Sequence, residues 1–249
     1  MTPKVPREEI KEFESIGVRG FTTTRHAGTF SLLSDEPVRE VMQRWSALQD
    51  DLSADTRALA SIRQVHGTRL VVHNGGWTGW LRGPEADGHI ATSRGVGLAV
   101  SIADCVPVFL AHESGVTGLL HSGWRGTAGR IVQDAINLMT RQGIAANEIR
   151  IHLGPAICGR CYEVDADVRA QLTGRPATRP GNVDLRSLIA EHAGELGVQK
   201  ISVSPECTRC DNAMFFSHRA GDAGRQLAVI VASQAVGPET KGKLGVNEL

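Results

Sequence analysis

The sequence predicts a layered α/β domain, α+β in the sense that its sheet is mixed, with a β-sheet core flanked by helices. Three observations predict it. Nearly continuous apolar runs cluster at the centre of the chain, a segment of helical period follows them, and strands and helices then alternate towards the C-terminus. The 249 residues contain no internal repeat, low-complexity tract or obvious linker, and the 28 glycines and 10 prolines are spread throughout. A chain of this length removes ~70–75% of its unfolded surface from water, so one domain over residues 1–249 is expected to fold without a disulfide or structural metal.

Taken in order, the segment before residue 35 carries a short helical pattern and a strand-like Gly20-Phe21-Thr22-Thr23-Thr24, and a helix is expected near residues 36–50. Gln64 to Val72 reads as a strand interrupted at Gly67, and Asn74, Gly75 and Gly76 open a loop running to about Glu85. Val96 to Ile102, Val106 to Ala111 and Val116 to Leu120 are short and rich in Val, Ile and Leu, the composition of strands buried on both faces. From Thr127 to Gln142 the apolar residues Ile131, Ala135, Leu138 and Met139 recur at helical spacing, with Gly143 as a C-terminal stop, which predicts one long helix. A strand at Ile149 to Leu153, a helix near Asp184 to Leu196, and strands at Lys200 to Val203 and Gln226 to Ala232 complete the pattern.

Composition excludes several classes of partner. Twenty-seven basic residues balance 27 acidic ones, which leaves no basic field for nucleic acid or an anionic membrane. No apolar run approaches the ~18 residues of a membrane span. The opening Met1-Thr2-Pro3-Lys4-Val5-Pro6-Arg7-Glu8-Glu9 lacks the apolar stretch of a secretory signal, so a cytoplasmic location is expected. Five cysteines, an odd number, suit a reducing compartment, where they serve metal binding or catalysis more often than a disulfide framework.

Two polar clusters stand at ends of the apolar strands, where an α/β protein usually places its site. The first is Ala103-Asp104-Cys105, the second His121-Ser122-Gly123-Trp124-Arg125-Gly126-Thr127. A cysteine between two strands also serves as a small buried residue, and a histidine at a strand end as a satisfied core residue. In the second cluster two glycines bracket Arg125 where a strand is expected to turn into the long helix. Its guanidinium, with exposed backbone N–H groups at the helix start, makes an anion pocket; the alternative is an ordinary glycine-rich turn with a solvated arginine. Neither a complete G-x-x-x-x-G-K-[ST] nor a G-x-G-x-x-G occurs, the nearest miss being Gly237 to Lys243, which runs into Leu244. In Arg63-Gln64-Val65-His66-Gly67, a glycine after a histidine within a strand suggests a bulge that aims His66 into a site. Cys158-Gly159-Arg160-Cys161 and Cys207-Thr208-Arg209-Cys210 are two halves of a structural zinc motif, separated by more than the spacing of a zinc ribbon, and unrelated reduced thiols are the other reading.

These strings, with Ala86-Asp87-Gly88, Gly154-Pro155-Ala156-Ile157, Cys161-Tyr162-Glu163-Val164, Phe216-Ser217-His218-Arg219 and Gly224-Arg225, resemble the laccase-domain or polyphenol oxidase family, also called the peptidoglycan-editing-factor or multifunctional purine nucleoside enzyme family. The match runs from about residue 60 to residue 232 in the family's order. The resemblance implies a zinc site of His66, Cys105 and His121. One thiolate and two imidazoles suit zinc, and three protein ligands leave a fourth position open for water or substrate. It also implies purine nucleoside phosphorolysis, of adenosine, inosine and methylthioadenosine, and adenosine deamination. Cys105, Asp104 and Arg125 are then the expected catalytic residues, Arg125, Gly126 and Thr127 the phosphate site, and a small-molecule nucleoside and inorganic phosphate the partners. Zinc is expected rather than copper, because one Cys and two His fall short of the several centres of a multicopper oxidase.

The chain departs from the family in two places. The stretch G-G-V-S-x-G-P-Y-x-S-L-N-L-G is represented by Thr24-Arg25-His26-Ala27-Gly28-Thr29-Phe30-Ser31-Leu32-Leu33-Ser34, which runs directly into Asp35-Glu36-Pro37, and the tyrosine of F-S-Y-R is His218. Two other readings follow from the same residues: a cysteine hydrolase of cell-wall precursors, with Cys105 attacking and His121 or His66 as base, and a metal-stabilised homologue without activity. The zinc deaminase signature H-x-E with P-C-x-x-C is absent, since Glu206 separates Pro205 from Cys207.

Overall fold

The structure, a computed structural model, describes residues 5–234; the near-miss at Gly237 to Lys243 lies outside them. Its strands are β1 (Arg7–Ile10), β2 (Val18–Thr23), β3 (Ala58–Arg63), β4 (Leu70–His73), β5 (Gly79–Glu85), β6 (Gly88–Ala91), β7 (Val96–Ile102), β8 (Val106–Ala111), β9 (Thr117–Ser122), β10 (Arg150–Leu153), β11 (Glu163–Val164), β12 (Gly181–Asn182), β13 (Lys200–Val203) and β14 (Gln226–Ala232). Its α-helices are α1 (Val38–Asp51), α2 (Trp124–Ala128), α3 (Ile131–Arg141), α4 (Ala166–Thr173) and α5 (Leu185–Gly194).

Two six-stranded mixed sheets form the body, in the orders β1-β2-β14-β7-β3-β5 and β13-β10-β8-β9-β6-β4. They face each other across a core to which the first sheet contributes Ile62, Leu98, Val100, Ile102 and Ile230 and the second Phe109, Ala111 and Leu119. Helix α1 covers the outer face of the first sheet, where Val41, Trp45 and Leu48 meet Leu59, Ala99 and Val229. Helices α3 and α5 cover the outer face of the second, where Ile131, Ala135, Met139 and Ile189 meet Val108, Leu110 and Leu120. This layering explains the apolar runs. In β8, Val108 and Leu110 point to the helices while Phe109 and Ala111 point to the other sheet, so both alternating faces are apolar.

The mixed α/β class, the strands β7 and β8, and the helices α1 and α5 lie where the sequence places them. Three elements differ. Gln64 to Val72 is not one strand: β3 ends at Arg63, residues 64–69 form a loop, and β4 begins at Leu70. The amides of Val65, His66 and Gly67 go to the Asp87 carboxylate, and His66 is left-handed at φ 60°, so no sheet ladder runs through them. The expected loop up to Glu85 contains β5, an edge strand parallel to β3, whose Gly79, Gly83 and Pro84 disguise it. The long helix from Thr127 is two helices, because Arg130 sits at φ 60° and breaks the helical path between α2 and α3.

Candidate active site

The site grows from the places where the chain passes between the sheets. The connection from β3 to β4 carries His66, that from β5 to β6 carries Asp87, and the tight turn from β7 to β8 carries Asp104 and Cys105. His121 lies on β9 opposite Pro107 of β8. These connections bring one ligand atom each of His66, Cys105 and His121 to within 4.8 Å of one another. The two imidazole rings meet edge to face, with centroids 4.8 Å apart. His66 is exposed, Cys105 half-buried and His121 buried, so the cluster opens to solvent on the His66 side.

Asp87 organises it. Its carboxylate is fully buried. Oδ1 accepts from His66 N and pairs with His121 Nδ1, both at 2.9 Å, and Oδ2 accepts from Gly67 N at 2.6 Å and Val65 N at 3.2 Å. Holding three successive amides bends the loop and stabilises the left-handed His66. Engaging His121 Nδ1 leaves Nε2 for the cluster, the arrangement that fixes the tautomer of a metal-bound histidine. Burial favours the neutral acid, but the hydrogen bonds from His121 and the two backbone amides, with the His121 charge, hold this carboxyl below its ordinary range. Gly123 supplies space: a Cβ there would stand 2.9 Å from Cys105 Sγ and 3.5 Å from the His66 ring.

Electrostatics make Cys105 a thiolate. Burial raises its pKa, but the His121 charge and hydrogen bonds from His121 and His66 outweigh it and bring the thiol down to about 6. His121 changes in the opposite sense: burial lowers it, while the Cys105 thiolate and Asp87 lift it to about 9. A thiolate, one exposed and one buried imidazole, and a buried carboxylate behind the latter fit a tetrahedral metal ion with one open position. Asp104, at φ 83°, forms the turn before Cys105. Its Oδ1 accepts from Thr208 Oγ1 and its Oδ2 from Arg219 N, both at 2.6 Å, and its carbonyl accepts from Ile157 N. Tyr162 stands by the Arg219 guanidinium; burial and then the Cys105 charge push its phenol up to about 12, so it remains a donor at neutral pH.

The anion turn differs from expectation in its backbone. Arg125 and Gly126 lie inside the five-residue α2, whose cap is Gly123. Arg125 is exposed, its guanidinium 4.3 Å from the Trp124 ring centroid. Thr127 is buried, its amide bonded to Gly123 O and its hydroxyl to Ser122 Oγ. A cleft of about 450 Å³ lies on the first sheet, lined among others by Phe30, Leu32, Gln64, Val65 and Trp80. None of the three candidate ligands lines it, but Gln64 and Val65 lead directly into His66, and the wall of Phe30 to Leu33 is the segment that departs from the family pattern. Sequence reasoning did not single out Asp87 or Gly123 as site residues. Both lay inside recognised strings, but the partners that give them their roles are distant in sequence.

The family model described as "Multi-copper polyphenol oxidoreductase laccase" matches residues 23–233. A purine nucleoside phosphorylase of Deinococcus radiodurans is 37% identical over 207 residues, 79% of either chain. A protein named adenosine deaminase RL5, from an unknown prokaryotic organism, is 30% identical over 233 residues, 82% of this chain and 88% of its own. The crystal structure of YlmD from Geobacillus stearothermophilus superposes with a TM-score of 0.82 at 29% identity, covering 93% of this chain and all of the other.

Proposed function

From the premise that this chain belongs to the multi-copper polyphenol oxidoreductase laccase family, we propose that it is a zinc-dependent purine nucleoside phosphorylase with adenosine deaminase activity, residues 1–249 acting as one cytoplasmic domain. The observation that carries this reading is the convergence of His66, Cys105 and His121, and the names of its relatives support the reaction class. Zinc bound there supplies a Lewis acid with one open position. The family's copper label fits less well, since the other Cys/His cluster found among the described residues is made of cysteines alone.

The chain's own residues do the rest. Asp87 keeps His121 Nδ1 engaged and the Cys105 thiolate stands beside the imidazoles, so the ligand positions are preformed, and His121 would give up its Nε2 proton when a cation binds. The exposed Arg125 guanidinium holds inorganic phosphate by charge-assisted hydrogen bonds, while Gly126 and Thr127, whose amide bonds Gly123 O and whose hydroxyl bonds Ser122 Oγ, shape the turn around that charge. Bound phosphate stabilises the positive charge that develops at the ribose C1′ as the purine leaves. Asp104, bonded to two loops, positions Cys105. The neighbouring cleft has a volume suited to a nucleoside, with Trp80 and Phe30 offering apolar surface and Gln64 a polar group.

The test is product analysis with the zinc-loaded protein. Adenosine should give adenine and ribose 1-phosphate only when phosphate is present, and inosine without it, with both reactions lost in His66→Ala. The lowered Cys105 pKa favours one rival, the cysteine hydrolase acting on cell-wall precursors. No turnover of any nucleoside, together with a covalent adduct on Cys105 during reaction with such a precursor, would overturn the phosphorylase reading.

A further inference from the structure

Four cysteines take no part in the site described above. Cys158, Cys161, Cys207 and Cys210 bring their sulfurs within 4.8 Å of one another. We propose that they bind a second, structural zinc ion as a tetrathiolate centre that ties together the two loops behind Asp104.

Topology removes the objection from sequence spacing. Strands β10 and β13 are parallel neighbours in register, Leu153 opposite Val203, and the chain leaves both at the same end. Cys158 follows the first strand and Cys207 the second, and the parallel alignment continues as a bridge between Ala156 and Cys207, with Thr208 N donating to Ala156 O. Adjacent strands thus deliver one C-x-x-C each to the same place, however long the chain between them.

The local geometry is that of a thiolate cage. Zinc–sulfur bonds of about 2.3 Å in a tetrahedron set the sulfurs about 3.8 Å apart. Cys161 Sγ and Cys210 Sγ stand 3.5 Å apart, near that value and far beyond the ~2.05 Å of a disulfide. Cys207 Sγ accepts from Cys158 N at 3.2 Å and from Cys210 N at 3.4 Å, so two amides already point at a sulfur that is itself buried. Such donors stabilise thiolate charge. Four thiolates around one zinc ion leave a net charge of −2, and each C-x-x-C carries an arginine, Arg160 and Arg209, in its turn. Arg209 also donates to Cys161 O, across the cluster from its own loop.

All four positions are filled by protein, so this centre is closed and structural. What it holds still is visible from its neighbours. Thr208 beside Cys207 donates to Asp104 Oδ1, and Ile157 beside Cys158 donates to Asp104 O, the residue before Cys105. The second centre therefore braces the turn that presents a ligand of the first.

Elemental analysis of the full chain, loaded with zinc chloride and desalted, is expected to give two zinc ions per chain, falling to one in Cys158→Ser/Cys161→Ser and to one in His66→Ala. Cobalt substitution reads the donor set: thiolate-to-cobalt absorption in the wild type should be several times that of the double variant, because only one sulfur remains in the first site. If the double variant does not fold, titrating the native wild type with a mercurial reagent should release the second zinc ion in step with four thiols. The proposal is overturned if the wild type holds a single zinc ion that disappears in His66→Ala, with the four thiols alkylated at free-thiol rates, or if peptide mapping of the purified protein finds Cys161 and Cys210 joined as a disulfide. Because each site is probed by its own variant, failure here leaves the phosphorylase reading intact, and failure of that reading leaves the tetrathiolate count intact.

Discussion

Asp87 concentrates more of the site's organisation than any ligand does. One carboxylate fixes the tautomer of His121 and the left-handed turn of His66, and in Asp87→Asn an amide N–H₂ must face either the backbone donors or His121. Loss of such a partner behind a metal-bound histidine weakens binding about 10–100-fold. A competition titration against a chromogenic chelator should show that loss with the native circular dichroism retained; unchanged affinity would make Asp87 a structural residue only. Arg125 calls for a different readout, because it is exposed and its removal leaves no buried group unpaired. A charge-assisted contact is worth about 1.5–3 kcal/mol, so Arg125→Ala should cost roughly ten- to hundredfold in phosphate-dependent cleavage and little in deamination. Equal loss in both would assign Arg125 to the fold. At this scale the sequence made His66, Cys105 and His121 visible through their glycine and strand-end settings and through resemblance. Asp87 was not visible, because its role lies in four donors, the nearest of them 20 positions away.

Elements were legible where one physical signal dominated. Strands β7 and β8 follow from apolar runs because both of their faces are buried, and α5 begins where Asp184, its cap, precedes an apolar stretch. Asp184 Oδ1 accepts from Arg186 N and Ser187 N, satisfying two helix-start amides. Asp184→Ala should therefore cost about 1 kcal/mol, measurable as a lowered urea midpoint at unchanged slope, whereas no change would mean solvent replaces the cap freely. Elements were illegible where the deciding partner was remote or the signal misleading. Gly129, which ends α2, was the one local warning of a break, but the left-handed residue is the Arg130 after it, a type that rarely takes that conformation, so α2 and α3 read as one helix. Strand β5 carries turn residues because it lies at an edge, where only its pairing with β3 has to be satisfied.

Across the whole molecule, the candidate metal cluster stands at the seam between the two sheets. His66 and Cys105 lie on connections that leave β3 and β7 of the first sheet for β4 and β8 of the second, and His121 belongs to β9 of the second. No periodicity in the sequence reports this convergence, since three strands must first pair in their sheets before the crossings meet. An ion held there binds the native arrangement and not the unfolded chain, so it stabilises by mass action: about 4 kcal/mol when free zinc exceeds its dissociation constant a thousandfold. For a chain of this size each kcal/mol moves the melting temperature by about 2–4 °C, so the seam ion's share of the rise on adding zinc to chelator-stripped protein should be about 8–16 °C. His66 is exposed, so His66→Ala removes a ligand with little effect on packing. Calorimetry on the stripped variant should give a melting temperature close to that of the stripped wild type, while its rise with zinc is smaller by the share that belongs to the seam. An identical zinc-dependent rise in both proteins would mean that the ion stabilising the fold sits elsewhere.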